Sequence, residues 1–476
     1  MEPRAVPPFR LGSTLTPPHD SLSRRSSSFR FVALPDLPLS SRPQWGCGED
    51  GQLGLPSAPV TAKSASPDWH VPTPTALRLP AGESVAAATD ETGRREKPLV
   101  AGSRNSAALA RSGALYTWGW NSHDTLGLDT DEEWIPEPRK AATTIRRCDE
   151  TETETNNAQE SDSAFASVSF GGWHAVALDR DGRAWAWGGN EYGQGGVRGD
   201  ARDERHAGVH VSEHVSVPAP VAFAAELAAR PIARVACGGM NSFALERDSF
   251  DEKDDAPPRV FEWGARAGSE RAHARAPVAV PFPRLFPSER VTALAAGSFH
   301  VLALTSASRV FAWGKGDYGQ LGLGRPGNWD APRAVPSLGD KDVVSVHAGG
   351  WHSCALARSG VCFTWGRGEY GRLGMAGDQA DKQAPARVAF EGDEREEKIV
   401  VDAALGGSHT CFLDARGAVW TVGRNNHGRL GRVVHGKWTG DPGRVVFPPP
   451  RGGGEWVCES VVAGGRHTLA VARAAP

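Results

Sequence analysis

Short apolar runs alternate with glycine-rich steps along almost the whole chain, and the steps are of two kinds. In one, a tryptophan precedes a glycine and a turn: Trp45, Trp118, Trp187, Trp263, Trp313 and Trp365, with Val422-Gly423 as a degraded seventh. In the other, a glycine step leads into an apolar run: Gly102-Ser103-Arg104-Asn105, Gly171-Gly172-Trp173-His174, Gly238-Gly239-Met240-Asn241, Gly297-Ser298-Phe299-His300, Gly349-Gly350-Trp351-His352, Gly406-Gly407-Ser408-His409 and Gly464-Gly465-Arg466-His467. Between the two steps lies a turn such as Asp181-Gly182. Asp and Gly both tolerate positive φ, so an Asp-Gly pair between two apolar runs predicts a tight β-hairpin. Recurrence at roughly 50 residues predicts stacked or radially arranged units.

The two series are out of phase at the chain ends. Trp45 has no glycine-step partner before it, and His467 has no Trp-Gly partner after it. The seventh unit is complete only if strands from the two ends join, which removes two open sheet edges at once. The expectation is an all-β, seven-bladed β-propeller closed by N- and C-terminal strands over residues 41–474, after a disordered tail or transit segment at 1–40. Acidic or polar stretches near 129–163, 196–216 and 248–258 are expected as flexible insertions, and 56–98 as an outward loop. The runs in 217–235 and 276–296 suit further strands, and Pro43 is expected in an edge strand.

Composition adds little to the fold and more to the function. The 56 glycines, 35 prolines and 16 tryptophans suit many tight turns around aromatic packing. A net charge of −3 speaks against nucleic acid, chromatin or an anionic membrane as partner. The seven cysteines are odd in number and lack Cys-x-x-Cys spacing, so they read as reduced, buried residues of a cytoplasmic or nuclear protein. No apolar stretch is long enough to span a bilayer. Arginines among the serines of residues 1–40 give weak support to organelle import.

The fingerprints Gly314-x-Gly316-x-x-Gly319 and Gly366-x-Gly368-x-x-Gly371 match a dinucleotide loop, but they recur from unit to unit and lead into another turn, so they read as turn glycines. His174, His300, His352, His409 and His467 occur one per unit. They would be spread around a ring, not gathered at one metal, which suits a structural hydrogen bond to a neighbouring loop. No catalytic constellation, metal site or cofactor site is expected. Arg104, Trp173, Met240, Phe299, Trp351 and Arg466, each immediately before the histidine or asparagine, are of types enriched at interfaces. They either form a circle of anchors on one face or pack between blades.

The paired steps resemble the regulator of chromosome condensation repeat, over about residues 44–473. The resemblance implies a seven-bladed propeller. It also implies a protein-binding function: guanine nucleotide exchange on a small GTPase, or alternatively a non-catalytic scaffold in trafficking or ubiquitin-ligase assemblies. The plant UV-B photoreceptor of this family carries its tryptophans two places before the histidine. Here Gly172, Gly239, Ser298, Gly350, Gly407 and Gly465 stand at that place.

Overall fold

The computed structural model describes residues 42–47, 52–55, 70–80, 83–86, 97–142, 164–197, 213–224, 230–248, 257–268, 273–283, 285–390, 398–450 and 453–475. The tail expected at 1–40 lies outside the described residues, and the unit 39–476 is described below.

Strands β1 (Arg42–Cys47) and β2 (His70–Leu77) come first in the chain but belong to its last sheet. The first sheet is β3 (Leu99–Ala101), β4 (Asn105–Leu109), β5 (Leu115–Trp120) and β6 (Trp134–Lys140). The second is β7 (Phe165–Phe170), β8 (His174–Asp179), β9 (Ala184–Gly189) and β10 (His214–Pro220). The third is β11 (Ile232–Cys237), β12 (Asn241–Glu246), β13 (Val260–Ala265) and β14 (His273–Ala279). The fourth is β15 (Val291–Ala296), β16 (His300–Thr305), β17 (Val310–Gly314) and β18 (Trp329–Ala334). The fifth is β19 (Val343–Ala348), β20 (His352–Ala357), β21 (Cys362–Gly366) and β22 (Lys382–Arg387), and the sixth is β23 (Val400–Leu405), β24 (His409–Asp414), β25 (Val419–Arg424) and β26 (Trp438–Arg444). A further sheet runs β2-β1-β28-β27, with β27 (Trp456–Ala463) and β28 (His467–Ala474). All pairings are antiparallel, and the architecture is an all-β propeller.

The residues explain these elements. Asp179 Oδ1 accepts the N–H groups of Asp181 and Arg183, both at 2.9 Å, and Oδ2 accepts the Trp185 indole at 3.1 Å, which locks the hairpin in which Gly182 has φ +81°. Asp414 repeats this with Arg416, Ala418 and Trp420. In the fourth sheet, where the turn lacks glycine, Ser308 takes φ +58°. The glycine of the Trp-Gly step is required by a bulge. Gly188 has φ +94°, and a Cβ there would lie 2.6 Å from the Trp173 carbonyl.

Apolar cores lie between neighbouring sheets. Leu302 and Leu304 of the fourth sheet, for example, pack with Val346, Ala355 and Trp365 of the fifth. The tryptophan indoles add a bond across each of four junctions: Trp118 donates to the Gln52 carbonyl, Trp187 to Thr125, Trp263 to Gln194 and Trp365 to Gln320, at 2.9–3.0 Å. The Trp45 side chain lies outside the described residues.

Several sequence expectations need correction. The stretch 129–163 opens with β6, and 56–98 contains β2; residues 143–163, 198–212 and 249–256 lie outside the described set, so the flexibility expected there is not described. Outermost strands are half solvated and carry proline, as in Trp-Ile-Pro-Glu-Pro-Arg-Lys of β6, so they lack an apolar run. Such prolines suit strands with an unpaired edge. Pro43 is not on an edge strand, because β1 lies between β2 and β28; it falls outside the Gln44–Gly46 register that β1 makes with β28.

One contact reaches past the neighbouring sheet. Lys97, just before β3, donates to the carbonyls of Ala403 at 3.0 Å and Val461 at 3.1 Å, and pairs with the buried Asp402 carboxylate at 3.0 Å. It therefore ties the first sheet to the sixth and to the β27 strand. Lys97→Met should destabilise the protein by about 2 kcal/mol, since it leaves a buried carboxylate without its cation, discounted for the partial exposure of Lys97. Denaturant unfolding of the full chain checks this; an unchanged midpoint would show the pair to be dispensable.

Candidate functional site

The glycine steps meet around the axis. Gly172 N–H donates to the Gly239 carbonyl, Gly239 to Ser298, Ser298 to Gly349, Gly350 to Gly406, Gly407 to Gly464 and Gly465 to Gly102, at 3.0–3.2 Å. They line a cavity of about 260 Å³ at one mouth of the central channel. A Cβ at Gly171 would lie 2.5 Å from the Gly238 carbonyl, so the close approach of sheets at this mouth excludes larger residues.

Immediately behind this ring stand the histidines, fully buried and each directed at the next sheet. His174 Nε2 lies 2.8 Å from Ser242 Oγ, His300 2.7 Å from Ser353, His352 2.8 Å from Thr410, His409 3.0 Å from Thr468 and His467 2.8 Å from Ser106. Each hydroxyl donates its own proton to a turn carbonyl, that of Gln194, Gln320, Arg372, Arg429 or Gln52, so it accepts from an imidazole N–H. Burial pushes the His174 pKa down to about 4 and those of His300 and His467 to about 3, with His352 and His409 also well below the ordinary value. These rings are neutral donors in a structural relay. Among the described residues no group of three or more His, Cys, Asp or Glu is placed to hold a metal ion.

Sequence reasoning missed the hydroxyl partners, although the signal was present. The residue after each histidine or asparagine is Ser or Thr where the preceding unit carries histidine, and Ala175 or Val301 where it carries Asn105 or Asn241. Two buried arginines were also missed. Arg372 and Arg429 stand where other turns have glutamine, and their Nη1 atoms donate to the Gly407 carbonyl at 3.1 Å and the Gly465 carbonyl at 3.2 Å.

The six candidate anchors lie at equivalent places beside the channel mouth. Five of their carbonyls accept the N–H of the residue that follows the Trp-Gly step: Arg104 from Trp120, Trp173 from Gly189, Met240 from Ala265, Phe299 from Lys315 and Trp351 from Arg367. Two positions per unit thus share this face, the anchor and the residue after Trp-Gly. The Arg104 guanidinium stacks on Trp120 at 4.2 Å, Lys315 lies over Phe299 at 5.6 Å, and Arg367 lies over Tyr318 at 4.6 Å. Phe299 and Trp351 pack on each other across adjacent sheets with centroids 4.7 Å apart, and Tyr318 meets Trp351 edge-on at 5.4 Å. Arg424, following the degraded step, covers Tyr370 at 4.8 Å. The anchors therefore divide: Phe299 and Trp351 are half-buried in a shared cluster, whereas Trp173 is 40% exposed and Arg466 is exposed. The arrangement offers flat aromatic surface rimmed by cations, suited to protein contact.

A family model described as RCC1-like domain matches residues 44–470. The chain is 28% identical over 327 residues to RCC1 domain-containing protein RUG3, mitochondrial, of Arabidopsis thaliana, a match spanning 67% of this chain and 64% of that protein, less than two thirds of the relative's length. It is 26% identical over 393 residues to the Ultraviolet-B receptor UVR8 of Arabidopsis thaliana, spanning 81% of this chain and 73% of that one. Among solved structures, Prp20p from Saccharomyces cerevisiae, reported with its binding properties to Gsp1p and histones, superposes with a TM-score of 0.66 at 18% identity and covers 93% of each chain. At that identity the likeness is one of fold. No helix among the described residues is long and apolar enough to cross a membrane.

Proposed function

This chain belongs to the RCC1-like domain family, and we propose that it is a protein-binding propeller whose anchor face docks a small GTPase and promotes release of its nucleotide. The reading takes the ring as seven-bladed and closed by both termini, as the sheet order β2-β1-β28-β27 supports, and places it in the cytoplasm or nucleus. The observation that carries it is the aromatic and cationic face, with Trp173 presented 40% exposed beside the channel mouth. Nucleotide release requires only preferential binding to the nucleotide-free GTPase, so the propeller need supply no covalent chemistry.

Stopped-flow release of fluorescent GDP from a panel of small GTPases tests the reading. Release from at least one of them is expected to accelerate, and Trp173→Ala should reduce that acceleration by about tenfold or more while leaving the melting temperature unchanged, as befits an exposed interface anchor. Trp351→Ala is the poorer probe because it also opens the cluster with Phe299 and Tyr318. Capture of a GTPase without accelerated release would instead favour a scaffold, and a panel that is neither captured nor accelerated would defeat the reading.

A further inference from the structure

The link from the sixth sheet to the last carries prolines in succession. Phe447-Pro448-Pro449-Pro450 lies between β26, which ends at Arg444, and β27, which begins at Trp456. Each proline fixes its own φ at about −65°, holds the residue before it extended and has no N–H to join a ladder, so the run forms a short polyproline II helix. Such a helix repeats about every three residues: Phe447 and Pro450 share one edge, Val446 and Pro449 a second, and Pro448 stands on the third. The burial follows this spacing. Phe447 is half-buried against the core that contains Val445 and Cys458, and Pro450 is buried, whereas Val446, Pro448 and Pro449 are exposed, Val446 at 76%. The run is also fastened from its inner side: the Trp456 indole donates to the Pro448 carbonyl at 2.7 Å, and the Gly453 N–H to the Pro450 carbonyl at 3.0 Å. Links from an outer strand to the next inner strand leave on the side of the Asp-Gly hairpins, so the run lies on the face opposite the anchors.

We propose that Val446–Pro450 is a docking ligand for a partner domain that reads polyproline II helix in a groove lined by aromatic rings. The groove packs its ring faces on the flat prolyl rings of Pro448 and Pro449, with Val446 beside Pro449 on the same edge. The remaining edge is occupied by the sheet, which fixes the direction from which the partner approaches. Because Phe447, Pro450 and the Trp456 indole already hold the helix in the shape that such a groove receives, little further ordering opposes association. The inference concerns the face away from the anchors, so it does not depend on the partner of the anchor face or on nucleotide release.

An array of purified SH3, WW and EVH1 domains, probed with the fluorescently labelled full chain, provides the test. At least one domain should bind saturably and be displaced by a decaproline peptide. Pro448→Ala with Pro449→Ala should weaken that binding by about tenfold or more and leave the melting temperature unchanged, since both side chains are exposed and the Pro448 carbonyl is retained. Val446→Asp, at the most exposed position of the run, should weaken it as well, and this variant decides the matter if the double variant melts lower. Pro336→Ala, an exposed proline in the link between β18 and β19, should bind as before. No saturable binding to any of these domains, binding that decaproline leaves in place, or binding unaffected in the folded Val446→Asp variant would overturn the proposal.

Discussion

A chain ending at Cys458 is expected to give no monomeric, cooperatively melting protein. The truncation removes β28, which is hydrogen-bonded on both sides: to β27 from Ala463↔Thr468 to Trp456↔Ala474, and to β1 at Gln44↔Leu469, Trp45↔Thr468 and Gly46↔His467. It also removes the Gly465 bond to Gly102 and the His467 to Ser106 to Gln52 relay, which join the last sheet to the first. Buried Leu77, Ala108 and Trp118 lose Val462 and Leu469 as packing partners. The loss includes an interior strand, so it exposes unpaired edges as well as apolar surface, and aggregation follows from both. Size-exclusion chromatography and a thermal melt decide the matter; a stable monomer would show that the ring does not depend on the strand that closes it.

Ser353→Val alone is expected to cost about 1–3 kcal/mol, because it leaves the His300 N–H buried without a partner and the Gln320 carbonyl with the Trp365 indole as its remaining donor. His300→Asn together with Ser353→Val should recover most of that loss, since the chain itself uses Asn241 followed across the junction by Val301. A double-mutant cycle by denaturant unfolding measures the coupling, and purely additive effects would contradict the pairing. The same junction governs pH dependence. Burial holds His300 neutral to about pH 3 and His174 to about 4, whereas in the unfolded chain a histidine takes up its proton near pH 6.5. The unfolded state therefore binds more protons below about pH 6.5, and stability falls with falling pH, by up to about 1.4 kcal/mol per pH unit for each such histidine. The double variant should lower the proton uptake on unfolding by one; an unchanged slope between pH 6 and 5 would place the dependence elsewhere.

Much of this could be read from the sequence, for a physical reason. The inner strands are enclosed by neighbouring sheets on both faces, so their apolar runs and turn glycines recur with little freedom to vary. The outer strand β6 is half solvated and carries prolines and charges, and β2 carries two prolines, which is why both passed for loops. The equivalence of the candidate anchor positions was legible because each immediately precedes a histidine or asparagine fixed by the fold. Lys315, Arg367 and Arg424 were not, since the place after Trp-Gly holds Trp120, Gly189 and Ala265 in other units and has no single residue type.

The pairing of β1 with β28 has a consequence for the growing polypeptide. During synthesis β1 leaves the ribosome well before its partner β28, which begins only at His467. At ordinary elongation speeds the two are separated by roughly 20 to 90 seconds. The intervening sheets can each form as their four strands emerge, but the sheet that contains β1 has to wait for the last. Every nascent copy therefore passes through an open, incomplete ring, and crowding on polysomes is the stage at which this fold is most exposed to strand exchange between copies.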